Sequence, residues 1–298
     1  MLHWLRLLRI SALPSAIANV LVGFLIAHQS WQPTGQFLLL IVASSCLYLA
    51  GMVSNDVFDF SRDQQQRPNR PLPSGAISIS AATTVYTLLM VVAAVCGLLT
   101  DETSVAIVIA IIVCIFLYNG LLKQTPFAPL FMGACRSLNI LLGASTVAGG
   151  VTAFPILLWW VAGSVGVLIA GITLFASKET QTNKRSRLSG AGAVIGVGIL
   201  LLAMTGYATI STDSYFDIHK FAVLILFICF PSIVRIFNAI SNPEPKPIQT
   251  AIVSMLRSLI LLDAAVCFLV SPNQLAYSLC VVALLIPGLI LSRLIPPT

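Results

Sequence analysis

Four side chains in the segment SNDVFDFSRDQQQRPNRPLPSG (residues 54–75) carry metal-binding oxygens at helical spacing: Asn55, Asp56, Asp59 and Asp63. In a helix that runs through residue 63, the three aspartates stand at i, i+3 and i+7 and share one face. Asn55 lies one turn before Asp59 and brings its amide oxygen to the same face. Oxygens gathered in this way repel one another unless a cation lies between them. Carboxylate and amide oxygens suit Mg2+, which keeps some of its waters and takes phosphate oxygens as further ligands. Arg67 and Arg70, in the proline-rich turn that follows, supply charge for a phosphate that the metal does not neutralise alone. The competing reading is an acidic helix end, solvated and paired with nearby arginines. It accounts for any one of these residues more easily than for the whole N-D-x-x-D-x-x-x-D run.

A second group of polar residues interrupts apolar runs further along the chain. Tyr118, Asn119 and Lys123 close a hydrophobic segment. Lys123 is either an anchor that snorkels to lipid headgroups or a further contact for a phosphate. The electron-rich ring face of Tyr118 suits a neighbouring cation. Arg136 lies about two turns inside the next segment, with Asn139 on the same face. An arginine at that depth faces a polar cavity or pairs with an acid on another helix, and Asp263 is the candidate acid. Asn19 either bonds a neighbouring helix or lines the same cavity. Arg257 and Asp263 stand roughly opposite each other around one helix and do not pair locally.

The elements that position these residues follow from composition. Of 298 residues 58% are hydrophobic and only 9% charged, with a mean hydropathy of +0.97. A soluble domain carries about 25% charged residues, so this chain lacks the polar groups to cover a water-facing surface. Apolar runs at 12–28, 36–55, 77–99, 104–122, 127–149, 155–177, 189–210, 219–240, 249–270 and 274–294 are each near the ~20 residues that span a bilayer. Continuous apolar runs without two-residue alternation exclude a membrane barrel. The expected architecture is all-α: a polytopic transmembrane helical bundle of nine to ten spans in a single domain, 1–298. The start, MLHWLRLLRI, enters the first span with no cleavage site of the secretory kind. Seven scattered cysteines and three separated histidines give no ligand spacing for zinc or haem.

Loop charges set an orientation. Arg6, Arg9, Arg62, Arg67, Arg70, Lys123 and Lys184 belong to one side, whereas Asp101, Glu102, Asp213 and Asp217 belong to the other. The positive-inside rule makes the basic side cytoplasmic, in an inner cell membrane, with both termini inside. The basic surplus suits anionic membrane lipids, and no nucleic-acid partner is expected.

The acidic run with its R-P-x-R-P-L-P-S-G turn resembles the first Asp-rich motif of the UbiA superfamily of intramembrane prenyltransferases. LRLLRISALPSAIANVLVGFLIA is similar to that family's opening helix, and FLYNGLLKQTPFAPLFMGACRSLNILLG to its middle stretch. The resemblance implies a helical bundle, commonly of nine spans, around a cavity open to lipid. It further implies Mg2+ held by two Asp-rich motifs, a polyprenyl diphosphate that ionises to an allylic cation, and a lipophilic or aromatic acceptor that captures the cation. On this reading Asn55, Asp56, Asp59 and Asp63 hold the metal, while Asp59, Asp63, Lys123 and Tyr118 serve catalysis. Arg67, Arg70, Asn119, Arg136, Asn139 and Asn19 would bind substrate, and span 274–294 would be an extra packing helix.

The chain departs from that pattern where the second Asp-rich motif is expected. ITLFASKETQTNKRSRLSG contains no aspartate, and Glu179, with Asn183 one turn on, is the residual metal ligand. Either lysines and arginines replace one Mg2+ there, or the chain keeps a lipid-binding cavity without ionisation chemistry. The pattern looks like the EboC branch of UbiA-like proteins. Two functions therefore stand side by side: Mg2+-dependent prenyl transfer to an acceptor, expected to be aromatic, or a non-catalytic lipid or metabolite carrier. A purely structural scaffold gives the convergent acidic run no purpose.

Overall fold

The computed structural model describes residues 2–177, 184–209, 218–271 and 273–295, and every regular element among them is helical. Helix α1 (Leu2–Leu7) leads through Arg9 and a 3-10 turn at Ile10–Ala12 into α2 (Leu13–His28). Pro14 stands in the first turn of α2, where its missing N–H costs no helical bond. Helix α3 (Thr34–Phe58) continues after Asp59 as α4 (Phe60–Gln66), which ends at Arg67 because Pro68 disfavours helical geometry in the residue before it. The side chain of Ser78 caps α5 (Ile79–Leu98) and that of Asp101 caps α6 (Glu102–Phe116). A single π-turn, Leu117–Leu121, ends the fourth span.

Next come α7 (Ala128–Gly143), α8 (Ile156–Ala176), α9 (Arg185–Ala203), α10 (Ile218–Ser241) and α11 (Pro245–Val270). The last span is broken into α12 (Leu275–Ala283) and α13 (Leu285–Leu294). Pro287 explains the break, since it has no N–H for the Ala283 carbonyl and its ring crowds that group. All ten apolar runs are thus helical, and nine of them, among the described residues, are long and apolar enough to cross a membrane. The exception corrects the fifth expected span. It stops at Gly143 instead of 149, giving a 16-residue helix about 24 Å long, below the ~30 Å of a hydrocarbon core. Gly149 and Gly150, with φ of 94° and 63°, turn the chain there.

Lipid tails are as apolar as a protein core, so small residues and interhelical hydrogen bonds must hold such a bundle together. Helix α2 lies near its centre against α3, α7 and α11, and α8 packs between α7 and α9. The α2–α7 contact is backbone to backbone: a Cβ on Gly23 would overlap the Ile140 carbonyl oxygen, and one on Gly143 the carbonyl oxygen of Val20. Apolar side chains such as Phe227, Phe230 and Phe237 cover the outer face of α10.

Candidate functional site

The site is built where α3, α4, the 67–75 turn and the end of the fourth span meet. The helical bonds pass through Asp59: its N–H donates to the Asn55 carbonyl and the Asp63 N–H donates to its own carbonyl, each within 3.0 Å. Asp56, Asp59 and Asp63 therefore do share a face, and all three are buried. The prolines of RPNRPLPSG fold the turn back beneath them. Arg70, 6% exposed, ends with Nη1 at 2.6 Å from Asp63 Oδ2 and 3.4 Å from Asp56 Oδ1.

Three further cations complete the cluster. Lys123 Nζ lies 2.6 Å from Asp59 Oδ2, which also accepts from Arg62 at 3.0 Å. Arg9 donates to Asp56 Oδ1 at 2.8 Å. Arg9 takes left-handed geometry, φ 46°, which is uncommon for a residue with a Cβ, and the turn it makes aims its side chain at α3. Its carbonyl accepts from the Tyr48 hydroxyl at 3.3 Å, which ties this turn to the bundle interior. Burial pulls the Lys123 ammonium below the ordinary lysine range, and the bond to Asp59 acts against that shift.

Below the charged cluster the π-turn carries Tyr118 and Asn119 inward. A π-turn inserts one residue into the helical count and often marks a functional position. Here Leu122 N–H donates five residues back to Leu117, at 2.8 Å. Asn119 donates to Ser54 Oγ at 2.9 Å and to the Gly51 carbonyl at 3.3 Å, and accepts from Asn55 Nδ2 at 2.8 Å. Because the Asn55 amide nitrogen is committed to Asn119, its oxygen remains as the group available for a cation.

Asn55, Tyr118 and Asn119 line a cavity of ≈ 90 Å³ that continues past Tyr48 and Met52 to Arg136 and Asn139. Leu47, Ile111, Ile115 and Met132 supply most of its apolar wall. A larger polar cleft of ≈ 380 Å³, around Asp101, Glu102 and Thr146, shares no lining residue with it.

Of the two alternatives for Arg136, a polar cavity or a pair with Asp263, the structure shows the first and only an indirect form of the second. Asn19 stands between the two side chains: its oxygen accepts from Arg136 Nη1 at 3.0 Å and its nitrogen donates to Asp263 Oδ2 at 2.9 Å. Arg136 Nη2 donates to Ser15 Oγ at 3.0 Å, and its guanidinium lies 5.9 Å from the centre of the Tyr48 ring. Asn139 Nδ2 bonds the Ala16 carbonyl at 2.8 Å.

Of the residues singled out from the sequence, then, Asn55, Asp56, Asp59, Asp63, Arg70, Tyr118, Asn119 and Lys123 come together. Arg136 and Asn139 line the deeper end of the same cavity, and Asn19 lies behind Arg136. Arg67 is half-buried at the end of α4. Glu179 and Asn183 lie outside the described residues. Sequence reasoning missed Arg9, Arg62, Tyr48 and Ser15 as parts of the site. Arg9 and Arg62 stood out only as orientation charges, and no spacing signal separates that role from an ion pair.

Among the described residues no three histidine, cysteine, aspartate or glutamate side chains gather into a metal-holding group. The donor set nevertheless fits a Mg2+ that relies on phosphate for its remaining ligands. Each carboxylate meets its cations through one oxygen, Oδ1 of Asp56 and Oδ2 of Asp59 and Asp63. Among the described residues that leaves the second oxygen of each, together with the Asn55 amide oxygen, for a metal.

Comparison with known proteins matches the chain to one family. The model of the UbiA prenyltransferase family matches residues 16–248. A digeranylgeranylglyceryl phosphate synthase of Sulfurisphaera tokodaii is 28% identical over 141 residues, 47% of this chain and 51% of that protein. Another so named, from Methanoregula boonei, is 30% identical over 178 residues, 57% of this chain and 60% of that protein. The chain spans about half the length of the curated relatives it matches. In structure it is similar to a UbiA homologue from Archaeoglobus fulgidus bound to GPP and Mg2+, with a TM-score of 0.66 at 15% identity, over 94% of this chain and 99% of that one.

Proposed function

The chain belongs to the UbiA prenyltransferase family, and from that premise we propose that it transfers a polyprenyl group from a polyprenyl diphosphate to a lipophilic acceptor within the membrane. The observation that carries the reading is the contact of Lys123 with Asp59 beside the Asn55–Asn119 pair, whose two residues line a largely apolar cavity. The acceptor expected from the sequence was aromatic. The names of the relatives speak of a glyceryl phosphate instead, and the aromatic ring finds no support in them.

Asn55, Asp56, Asp59, Asp63 and Glu179 would hold Mg2+, which neutralises diphosphate charge so that the group departs. The rest is the work of the chain's own side chains. Arg67, Arg70 and Lys123 bind phosphate oxygens, and Arg9 and Arg62 balance the aspartates around them. As the allylic C–O bond breaks, the diphosphate leaves with the electron pair and the allylic carbon becomes cationic. Tyr118 turns an aromatic ring toward that carbon. Leu47, Ile111, Ile115 and Met132 keep out the water that would quench it to an alcohol. The acceptor's nucleophile then forms the new bond and releases its proton. We place the whole chain, 1–298, in one domain of an inner cell membrane with the charged cluster on the cytoplasmic side, a reading that the loop charges support.

The test is inorganic diphosphate release from geranylgeranyl diphosphate by the purified chain in nanodiscs, with and without Mg2+. Release that needs Mg2+ and is lost in Asp59→Asn is the expected result. Binding of the diphosphate without release, over several prenyl lengths, would replace the enzyme by a carrier that uses the acidic cluster as a dock.

A further inference from the structure

Arg136 stands in a place where a positive charge works against the chemistry proposed above. It lines the cavity at the level of Tyr48, seven residues before Asn55 on α3 and so about 10 Å along the helix axis from the Asn55 end. A unit charge ~10 Å from a developing cation, at an effective dielectric near 20, slows ionisation on the order of tenfold. An arginine kept there must be answered by an anion in the working complex.

Asp263 is only half of that answer. A direct carboxylate–guanidinium pair would have used the arginine's planar fork. Asn19 is interposed instead, with its oxygen to Arg136 and its nitrogen to Asp263. The guanidinium has five N–H groups, and two of them are taken, by Asn19 and Ser15. Protein surrounds Arg136, yet it keeps accessible surface, because that surface opens into the cavity.

We propose that Arg136 is the seat for an anionic group of the acceptor, a carboxylate or a phosphate, and that Asn19 and Asp263 are the residues that position it. The seat makes Arg136 a determinant of acceptor specificity: it selects for charge and leaves the diphosphate end untouched. This rests on the chain being a prenyltransferase, but occupancy of the seat can be read without turnover.

The experiment measures equilibrium binding to the chain in nanodiscs of neutral lipid. Two anionic probes are each set beside a neutral counterpart: decylglycerol phosphate beside decylglycerol, and benzoate beside benzyl alcohol. One anion should bind at least tenfold tighter than its counterpart, and which one does so separates phosphate from carboxylate. Arg136→Gln should abolish the preference and Arg136→Lys should restore part of it. Because Arg136→Gln removes the cation that Asn19 links to Asp263, the double variant Arg136→Gln/Asp263→Asn makes both ends of that bridge neutral. It should melt like the wild type and still show no preference. Equal binding of anion and neutral probe by the wild type overturns the proposal, as does a preference that survives in the double variant. Failure of diphosphate release beside an intact preference would overturn the transferase reading and leave the seat standing.

Discussion

Arg70 offers the sharpest test of the charged cluster, because its removal separates ion pairing from metal binding. It is 6% exposed and bridges Asp63, 1% exposed, with Asp56, 5% exposed. Arg70→Met keeps the length and apolar stem of the side chain while deleting the charge. Breaking a buried pair by removing one partner costs about 3–5 kcal/mol, since it strands buried carboxylates. Those carboxylates are also the proposed metal ligands, so Mg2+ should take the arginine's place. A ligand at 100 times its dissociation constant returns ~2.7 kcal/mol. The expected outcome in nanodiscs is a large fall in melting temperature without Mg2+, of which about half or more is recovered on titrating Mg2+. Sodium chloride at matched ionic strength should recover none of it. Arg70→Met/Asp63→Asn should lose less stability and gain less from Mg2+. The reasoning is refuted by a variant as stable as the wild type in the absence of metal. A recovery that sodium matches would refute the metal half alone.

Three further outcomes are expected. Burial lowers the Lys123 pKa, so across the window between the folded value and the ordinary lysine value the unfolded chain binds more protons; melting temperature should rise with pH there. In the same window the ammonium that meets phosphate is lost, so diphosphate release should fall, and Lys123→Arg should flatten both trends. Asn119→Leu frees the Asn55 amide from its partner and should weaken Mg2+ dependence by about 10- to 100-fold in the metal concentration required, with the melt retained to within a few degrees. Gly23→Ala places a Cβ against the Ile140 carbonyl and should lower stability by about 1–3 kcal/mol, read as a shifted thermal melt.

Much of the fold is legible because each span is a long apolar run, and a membrane permits such a run little besides a helix. The shared face of Asp56, Asp59 and Asp63 is legible for the same reason, since their spacing is local to one helix. What escapes the sequence is long-range. Asn19 meets Asp263 across 244 positions and Arg136 across 117, and no periodicity encodes either meeting. The turn at Arg9 is equally hidden, because left-handed geometry is expected of glycine and an arginine there gives no signal. The early stop of α7 is made by tight turns at Ala144 and Ser145, in a stretch where no proline announces it.

That early stop reaches beyond the protein. A 16-residue helix is about 6 Å shorter than the ~30 Å hydrocarbon it has to cross, and a short span thins the lipid around it at a cost of fractions of a kcal/mol per Å. Helix α7 is also the one that carries Arg136 and Asn139 into the cavity and touches α2 backbone to backbone. Acyl-chain length should therefore bear on the site: thicker lipid is expected to load the α2–α7 contact, and a thinner membrane to relieve it.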